Sequence, residues 1–420
     1  MTWSTRPVRL GIVGCGRILP AHLRGIAALQ SVGLDPVRIT ALCSASIEEA
    51  AMFRRRGQGP PPRPAASSRP DDPLAAPHRY VSDIQTDVVP EIYDNWRAML
   101  DDDVTDAVLV LAPVSFHHEI ALAALSAGKH VLIEKPFAIS VRAGRAVQEE
   151  AERRGLVAGV AENLRYEAAT RAVGWAVAEG FVGRPQLWLS GAVGGEWAPN
   201  RVVAHTPWRH RKLEAGGGPA IDIGVHIMHQ IRYIMGAVDE IGALTRTLEP
   251  TRVERDGSGS SVLVNNEVED VYLAQLRFAS GAIGTSFSGW AGRGESCVLP
   301  ESPIVYGTLG CVKGDTLVGA DGVRTKAADL FAQHASDEVK RCYFPHGVRD
   351  SFGLELLDFV TAITTGTKME ASASEGVLDL AMAYAILESS FAAAPVRVAD
   401  VLSGAVDGYQ AEIDAHFKLS

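Results

Sequence analysis

Residues 11–22 read GIVGCGRILPAH and follow an apolar run at residues 8–10. Gly11, Gly14 and Gly16 therefore lie where a buried strand ends and a helical segment, AHLRGIAALQ, begins. Glycine lets a backbone approach a phosphate group closely, and the N-terminus of a helix attracts anions. The stretch predicts either a phosphate-binding turn or a tight strand–helix turn that binds no ligand.

Apolar runs alternate with helical patterns through the first third of the chain. Four more runs follow the first one, at residues 37–43, 106–113, 129–136 and 155–162. Continuous apolar strands separated by helices are typical of a parallel sheet covered on both faces. We predict an α/β, doubly wound domain over residues 1–163, with the glycine turn after its first strand, where such a fold binds a pyrophosphate.

A segment rich in Pro, Ala and Ser interrupts this pattern at residues 57–78, GQGPPPRPAASSRPDDPLAAPH. It shows no helix or strand periodicity, so we predict an exposed, poorly ordered insertion. Long loops of this kind are either disordered or functional. The alternative is therefore a lid or a contact with another subunit.

The pattern changes after about residue 180. QLWLSGAV, DVYLAQLRF and AIGTSFSGW are typical of strands, and the last two are joined by a hairpin signal at Ser280 and Gly281. DVYLAQLRF alternates between two different faces, which indicates an antiparallel sheet. We predict an α+β domain with an open, largely antiparallel sheet over residues 164–420. An uncovered sheet face often forms a subunit interface, so we expect a homodimer or homotetramer.

The composition excludes several classes of protein. The 420 residues carry a net charge of −10, which argues against a nucleic-acid partner. The five cysteines lack the spacing of a metal site and suit a reducing compartment. Neither a signal peptide nor a membrane helix is visible. We expect a soluble cytoplasmic protein with no membrane partner.

A lysine lies at the carboxyl end of the predicted strand HVLIEKP. Ligands of parallel sheets bind at this edge, where Glu134, Lys135 and Pro136 are placed. An ammonium group can bind a hydroxyl or carbonyl oxygen there, and partial desolvation lets it exchange a proton near neutral pH. Pro136 restricts the backbone of Lys135, even to a cis bond. We predict that Lys135 is catalytic; the alternative is a surface lysine before a turn.

A second polar group lies in GGGPAIDIGVHIMHQ. Asp222, His226 and His229 are spaced to share one face of a helix whose other residues are largely apolar. An Asp one turn from a His orients the imidazole and tunes its pKa, as a general base requires. The alternatives are a metal site formed by these three residues and a histidine that is satisfied inside the core.

Several sequence stretches together resemble one family. They are GIVGCG, DAVLVLAPVSFHHEIALAALSAGKHVLIEKP and GGGPAIDIGVH. The chain resembles the glucose–fructose oxidoreductase / inositol 2-dehydrogenase / rhizopine-catabolism family of sugar and polyol dehydrogenases. The resemblance implies an N-terminal Rossmann domain that binds NAD or NADP and a C-terminal open-sheet domain, with a carbohydrate or polyol substrate held against the nicotinamide between them.

The resemblance also implies roles for residues. His226 would take the hydroxyl proton as hydride leaves the same carbon, Lys135 would polarise that oxygen and contact the nicotinamide ribose, and Asp222 would orient the pair. No metal is implied. We assign cofactor binding to Gly11, Gly14, Gly16, Arg17, Ile18, Ser44, Ala112, Pro113, His117, Glu134 and Lys135. We assign substrate binding to Arg165, Trp208 and His229. Arg165 has a surface salt bridge as its alternative, and Trp208 belongs to a predicted specificity loop at residues 192–210.

The sequence departs from the family pattern at several positions. Leu19 replaces the third glycine of the turn, and His229 stands where an Asp is common. The second strand ends in CSAS, where NAD-dependent enzymes commonly carry an acid for the ribose 2′-hydroxyl. Ser44 favours NADP, although NAD stays open. Arg54, Arg55 and Arg56 lie too far along the next helix to help.

Two other functions use the same fold. One is glycoside cleavage by transient oxidation, in which bound NAD is recycled within each turnover. The other is a non-catalytic ligand sensor, which would be expected to have lost Lys135 or His226. Both residues are present.

Overall fold

The apolar runs near the N-terminus form a sheet of parallel strands in the computed structural model, which describes residues 6–70, 72–194, 206–255 and 260–419. Its strands are β1 (Val8–Val13), β2 (Val37–Cys43), β3 (Glu91–Tyr93), β4 (Ala107–Val110), β5 (His130–Glu134) and β6 (Ala158–Ala161). The order is β3-β2-β1-β4-β5-β6, and every pairing is parallel. This confirms the predicted doubly wound sheet. β3 was not predicted, because three residues are too short to form an apolar run.

The helices of the described residues extend along the whole chain. They are α1 (Leu19–Ser31), α2 (Ile47–Arg54), α3 (Trp96–Asp101), α4 (Val114–Ser126), α5 (Val141–Arg154), α6 (Ala168–Ala178), α7 (Lys212–Ala215), α8 (Pro219–Asp222), α9 (Gly224–Met235), α10 (Ala327–His334), α11 (Asp337–Tyr343), α12 (Ser351–Thr365), α13 (Ala373–Ala392), α14 (Val398–Ser403) and α15 (Ala411–His416).

Contacts divide the chain into two compact units. The first unit comprises Met1–Ala138, Ala143–Tyr166 and Phe344–Gly376. The second comprises Ile139–Arg142, Glu167–Tyr343 and Val377–Ser420. The predicted domain boundary between residues 163 and 164 stays a prediction.

Helix α12 packs against α1 within the first unit. A Cβ on Gly25 would lie 2.7 Å from the backbone nitrogen of Gly353, so the two helices touch through their backbones. Arg24 Nε also donates to Asp350 Oδ2 at 2.8 Å. These contacts bring α12, which is distant in sequence, onto the dinucleotide-type sheet.

The second unit is built on a mixed sheet. Its strands are β7 (Pro185–Val193), β8 (Val238–Arg246), β11 (Val271–Phe278), β12 (Ile283–Gly289), β13 (Cys297–Val298), β14 (Ile304–Gly307), β15 (Gly310–Lys313), β16 (Thr316–Gly319), β17 (Arg324–Lys326) and β18 (Val396–Arg397). A separate antiparallel pair consists of β9 (Thr251–Arg255) and β10 (Ser261–Asn265). The order in the large sheet is β17-β16-β15-β14-β7-β12-β11-β8-β18, with β13 also pairing with β7.

Antiparallel pairing dominates this large sheet, which confirms the predicted open-sheet domain. The pair β7–β12 is parallel, while β11 and β12 form the antiparallel hairpin predicted at Ser280 and Gly281. Along β11, Tyr272 and Ala274 are buried while Leu273 and Gln275 are exposed. The sheet therefore has two different faces, as the alternating sequence predicts.

The insertion at residues 57–78 is exposed over much of its length but makes defined contacts. It contains a short 3₁₀ helix, Pro73–Ala75, whose start is capped by the Asp72 side chain. The backbone nitrogen of Ala66 donates to the carbonyl oxygen of Leu74 at 3.0 Å. In the described part of the chain, no helix combines the length and apolar character needed to cross a membrane.

Candidate active site

The glycine turn after β1 fits a dinucleotide. Gly14 has φ 110°, and a Cβ there would lie 2.4 Å from the carbonyl carbon of Leu111, so only glycine is tolerated. Among the described residues other than its two chain neighbours, none has an atom within 4 Å of the Cβ position of Gly16, so the space beside this glycine is open to a diphosphate. Gly11 differs, because a Cβ there would lie 2.6 Å from Thr105 Cγ2 in the protein interior.

Helix α1 begins directly after this turn. Ile18 is its N-cap residue, and the first turn of the helix carries no acidic side chain. The backbone N–H groups at this end and the helix dipole therefore favour an anion. Arg17 is exposed beside the turn. Leu19, which replaces the third glycine of the family pattern, is fully buried at the start of the helix.

A carboxylate of helix α2, Glu49, lies beside the end of β2, and the sequence pattern did not indicate it. Ser44 is buried, and its hydroxyl donates to Glu49 Oε2 at 2.7 Å. Glu49 also forms an ion pair with Arg63 of the insertion. Glu49 lies in the first turn of α2, past the position where an acid for the ribose is usually sought, so a strand-end search misses it.

The Glu134–Lys135–Pro136 stretch forms a fixed turn at the end of β5. Glu134 Oε2 accepts a hydrogen bond from the Lys135 backbone nitrogen at 2.9 Å, and Oε1 lies 3.2 Å from His22 Nε2 of α1. The Lys135–Pro136 peptide bond is cis, as the sequence analysis allowed. Lys135 itself is half-buried. Glu134 therefore holds the turn rather than pointing into solvent.

His117 joins two loops at the same edge of the sheet. It lies in the first turn of α4, with Nδ1 2.8 Å from the Pro136 carbonyl oxygen and Nε2 2.7 Å from that of Ala112. Burial lowers the pKa of His117, and the two carbonyl oxygens act in the opposite direction. Ala112 is in turn close to Gly14, whose Cβ would lie 2.6 Å from the Ala112 nitrogen. Pro113 is the N-cap residue of α4.

A buried carboxyl group lies near this turn. Glu355 of α12 is fully buried, and within the described residues neither of its oxygens has a hydrogen-bond partner. Burial, followed by the nearby charges of Glu134 and Glu162, raises the pKa of Glu355 well above its usual value. Glu355 therefore retains its proton to a higher pH than an exposed glutamate does. The sequence gives no sign of this, because glutamate inside a helical pattern usually indicates a solvated face.

Asp222 and His226 lie on consecutive helical segments of the second unit. Asp222 ends α8 and is buried, whereas His226 lies in α9 and is half-buried. The single predicted helix is thus divided at Ile223, although its backbone continues in a right-handed helical conformation. Arg209 Nε donates to Asp222 Oδ2 at 2.7 Å, a partner that the sequence analysis did not identify. The guanidinium stabilises the ionised form of this buried carboxylate.

His229 has a different environment on the same helix. Its ring is fully buried, and Nδ1 lies 2.6 Å from Asp379 Oδ2. Arg232 donates to the other oxygen of Asp379 at 2.8 Å. Burial acts to raise the pKa of Asp379, but His229 and Arg232 outweigh it and the pKa is lowered. Within the described chain, Nε2 of His229 has no hydrogen-bond partner.

The remaining substrate candidates contact other residues of the protein. Arg165, whose side chain is 16% exposed, forms ion pairs with Glu370 and Glu375 at 3.3 and 3.6 Å. The Trp208 ring centre lies 4.2 Å from the guanidinium carbon of Arg209. Residues 195–205 of the predicted specificity loop lie outside the described residues.

The glycine run before α8 is capped by a buried acid. Glu269 accepts hydrogen bonds from the backbone nitrogens of Gly218 and Ala220, both at 2.9 Å. Burial raises the pKa of Glu269 to about 7, and these two hydrogen bonds oppose that shift. Over the part of the chain that is described, no three His, Cys, Asp or Glu side chains are grouped to hold a metal ion.

Curated relatives of this chain act on sugars and polyols. Levoglucosan dehydrogenase of Pseudarthrobacter phenanthrenivorans is 30% identical over 202 residues, which span 46% of this chain and 51% of that protein. The 1,5-anhydro-D-fructose reductase of Ensifer adhaerens is 28% identical, with 73% and 83% covered. The myo-inositol 2-dehydrogenase of Thermotoga maritima is 26% identical, with 75% and 86% covered.

Solved structures share the fold over most of the chain. A levoglucosan dehydrogenase in complex with NADH and L-sorbose has a TM-score of 0.71 at 23% identity, covering 94% of this chain and 99% of that one. An oxidoreductase domain protein from Kribbella flavida has a TM-score of 0.72 at 21% identity, covering 94% and 100%. At these identities the likeness establishes the fold alone.

Two family models match consecutive parts of the chain. A model described as an oxidoreductase family with an NAD-binding Rossmann fold matches residues 8–162, and a GFO/IDH/MocA C-terminal domain matches residues 170–313. Together they match more than half of the chain. The resemblance inferred from the sequence is thereby confirmed, and the chain belongs to the GFO/IDH/MocA family of NAD-binding oxidoreductases.

Proposed function

We propose that the protein is a dehydrogenase that transfers a hydride between NAD(P) and a secondary hydroxyl of a sugar, polyol or glycoside. The observation that carries this proposal is the edge of the parallel sheet, where the open Gly16 position and Lys135 follow β1 and β5. The named relatives are dehydrogenases and a reductase of sugars and polyols. The nicotinamide, when bound, supplies the site that accepts or donates the hydride.

The protein positions the dinucleotide and the ammonium group at one edge. Gly14, Gly16 and the start of α1 would hold the diphosphate, and Ala112, Pro113 and His117 line the neighbouring strand end. Arg17 and Ile18 lie beside the diphosphate position. Lys135 is held by Glu134 and by the His117 contact to Pro136, so its ammonium group approaches an oxygen from a fixed backbone. We propose that it polarises the carbinol oxygen and contacts the nicotinamide ribose.

Proton transfer is assigned to the second unit. We propose that His226 takes the proton of the hydroxyl as the carbon is oxidised, and returns it in the reverse reaction. We propose that Asp222, which is ion-paired to Arg209, orients the imidazole of His226. Once the proton has passed to solvent, each of these groups has the same protonation state as at the start of the turnover.

Substrate recognition is proposed for three further side chains. Arg165 is ion-paired to Glu370, and the Trp208 ring lies against the guanidinium of Arg209. We propose that Arg165 offers a polar group, and Trp208 an aromatic face, to a polyol. The unsatisfied Nε2 of His229 is a further acceptor or donor for a hydroxyl. The relatives' substrates, levoglucosan, 1,5-anhydro-D-fructose and myo-inositol, indicate a cyclic polyhydroxylated compound as the class to try first.

We also propose a cytoplasmic homo-oligomer. All five cysteines have free thiols, which suits a reducing compartment. Leu244, Leu273 and Ile283 of the large sheet are more than half exposed, and such apolar surface is typical of a subunit interface.

A substrate screen tests the proposed function. Purified protein is incubated with cyclic polyols, sugars and glycosides and with each dinucleotide, and reduced nicotinamide is followed by its absorbance. A dehydrogenase accumulates reduced cofactor in proportion to oxidised substrate. Release of aglycone without net reduction supports glycoside cleavage by transient oxidation instead. A ligand that binds without any turnover supports a sensor.

A further inference from the structure

In a doubly wound fold, the adenosine ribose of a bound dinucleotide lies at the edge of the sheet where β2 ends. This edge adjoins the glycine turn, since the Gly14 backbone nitrogen donates to the Cys43 carbonyl oxygen at 2.8 Å. Ser44 follows Cys43, and its hydroxyl is bound to Glu49. The polar groups of this edge are therefore a hydroxyl and a carboxylate, already joined to each other.

The insertion at residues 57–78 is attached to the helix that carries Glu49. Near its start, Gly59 approaches the backbone of α2 so closely that a Cβ would lie 2.8 Å from the Ala51 carbonyl oxygen. At its end, the His78 ring lies 4.5 Å from the ring of Phe53 in the same helix. Both ends of the insertion are thus held against α2. Arg63 lies between these two attachments.

Arg63 extends from the insertion to the end of β2. Its guanidinium forms an ion pair with Glu49 Oε1, while Ser44 binds Oε2. Both charges influence the pKa of the Cys15 thiol in the glycine turn. Burial raises this pKa most, Cys43 and Glu49 raise it further, and Arg63 lowers it. The pair therefore lies close to the turn assigned to the diphosphate.

We propose that Arg63 is the residue that admits the 2′-phosphate of NADP, and that Glu49 with Ser44 binds the 2′-hydroxyl of NAD. This inference rests on the proposed function, because it requires a dinucleotide in the glycine turn. It makes the insertion a determinant of coenzyme choice. It also supplies the cation that Arg54, Arg55 and Arg56 were expected to be too distant to provide.

The ion pair is exposed enough to exchange partners. The side chains of Arg63 and Glu49 are 39% and 36% exposed, and ion pairs in such positions contribute little to stability. A phosphate monoester carries about 1.5–2 negative charges at neutral pH and binds a guanidinium through two parallel hydrogen bonds. Arg63 therefore turns from Glu49 to the phosphate when NADP binds. With NAD it stays on Glu49, whose carboxylate accepts the ribose hydroxyl.

Binding of NADPH and NADH in the absence of substrate tests this proposal. Each is titrated into wild-type protein, Arg63→Ala, Glu49→Gln and the matched control Arg55→Ala, with nicotinamide fluorescence as the signal. Arg55 is exposed directly after α2, so the control removes the same charge from the same region. Because both ligands are measured on each variant, NADH binding reports whether Arg63→Ala is folded.

Arg63→Ala is expected to weaken NADPH binding by about tenfold to 100-fold, the loss of a charge-assisted contact, and to leave NADH nearly unchanged. Glu49→Gln is expected to shift the two affinities in opposite directions, tightening NADPH and weakening NADH by about threefold to tenfold each. Equal effects of Arg63→Ala on both ligands, or effects no larger than those of Arg55→Ala, overturn the proposal. So does wild-type protein that binds NADH but not NADPH, although the proposed function survives. If it binds neither, both fall.

Discussion

The imidazole Nδ1 of His117 lies 2.8 Å from the carbonyl oxygen of Pro136. Since its Nε2 reaches the Ala112 carbonyl oxygen at 2.7 Å, one buried ring joins the loop after β4 to the turn that carries Lys135. His117 was predicted to contact the cofactor itself. The structure gives it protein partners on both nitrogens, so we expect it to act also as a positioning residue.

Replacing His117 should therefore impair catalysis through Lys135. His117→Ala removes both carbonyl contacts and is expected to lower the free energy of unfolding by about 1 kcal/mol, because the neutral imidazole has one N–H and so donates a single buried hydrogen bond, which contributes about 1 kcal/mol. Turnover should fall while the affinity for the dinucleotide changes less. Thermal unfolding and a split of kcat from KM measure these effects. An unchanged kcat in a folded His117→Ala protein would contradict the positioning role.

The buried carboxyl group of Glu355 should make the free energy of unfolding depend on pH. Its folded pKa is raised well above the unfolded value of about 4.3, so the unfolded chain releases a proton that the folded protein retains. Stability is therefore unaffected below the unfolded pKa and decreases as pH rises toward the folded pKa, by at most about 1.4 kcal/mol per pH unit. Glu355→Gln should remove this slope, so its advantage in Tm over wild type should grow with pH.

Glu150→Gln is the matched control for that experiment. Arg154 and then Arg153 lower the pKa of this half-buried carboxylate, so any contribution it makes is present above the unfolded pKa and lost on acidification. Glu150→Gln should therefore show no Tm advantage over wild type that grows with pH. An equal pH slope in wild type and Glu355→Gln would contradict the raised pKa of Glu355.

Replacing the two histidines of α9 should have different effects on turnover and on stability. His226 is half-buried and assigned to proton transfer, so His226→Asn should reduce turnover by about 100-fold or more with little change in Tm. His229→Asn breaks a buried contact to Asp379 and should lower the free energy of unfolding by about 1–3 kcal/mol. If His226→Asn retains full turnover, the proton-transfer assignment is wrong.

A loss of substrate affinity in folded His229→Asn, beyond the loss of stability, would support the proposed contact of its Nε2 with a substrate hydroxyl. Unchanged affinity would leave His229 with a structural role only. The affinity is measured as KM at saturating dinucleotide.

The parallel sheet and the glycine turn were predictable because they depend on local signals. Continuous apolar runs and a turn that requires φ 110° at Gly14 are both properties of short stretches. The hairpin of β11 and β12 was predictable for the same reason, since alternation and turn residues determine it.

Contacts between distant segments were not predictable in this way. The pairs Arg209–Asp222, His229–Asp379 and Arg63–Glu49 depend on how loops and helices pack, and no spacing rule connects their members. The raised pKa of Glu355 is another case, because its burial depends on how α12 packs in the fold and not on its own neighbours in sequence.

The most direct test of the central claim compares initial rates of wild-type protein, Lys135→Ala and the control Lys368→Ala on a substrate found in the screen. Lys368 is an exposed lysine of the first unit. We expect Lys135→Ala to bind dinucleotide normally and to form reduced nicotinamide about 100-fold or more slowly, since a positioned acid–base group contributes on that scale, while Lys368→Ala matches wild type. Wild-type rates in Lys135→Ala would contradict the account.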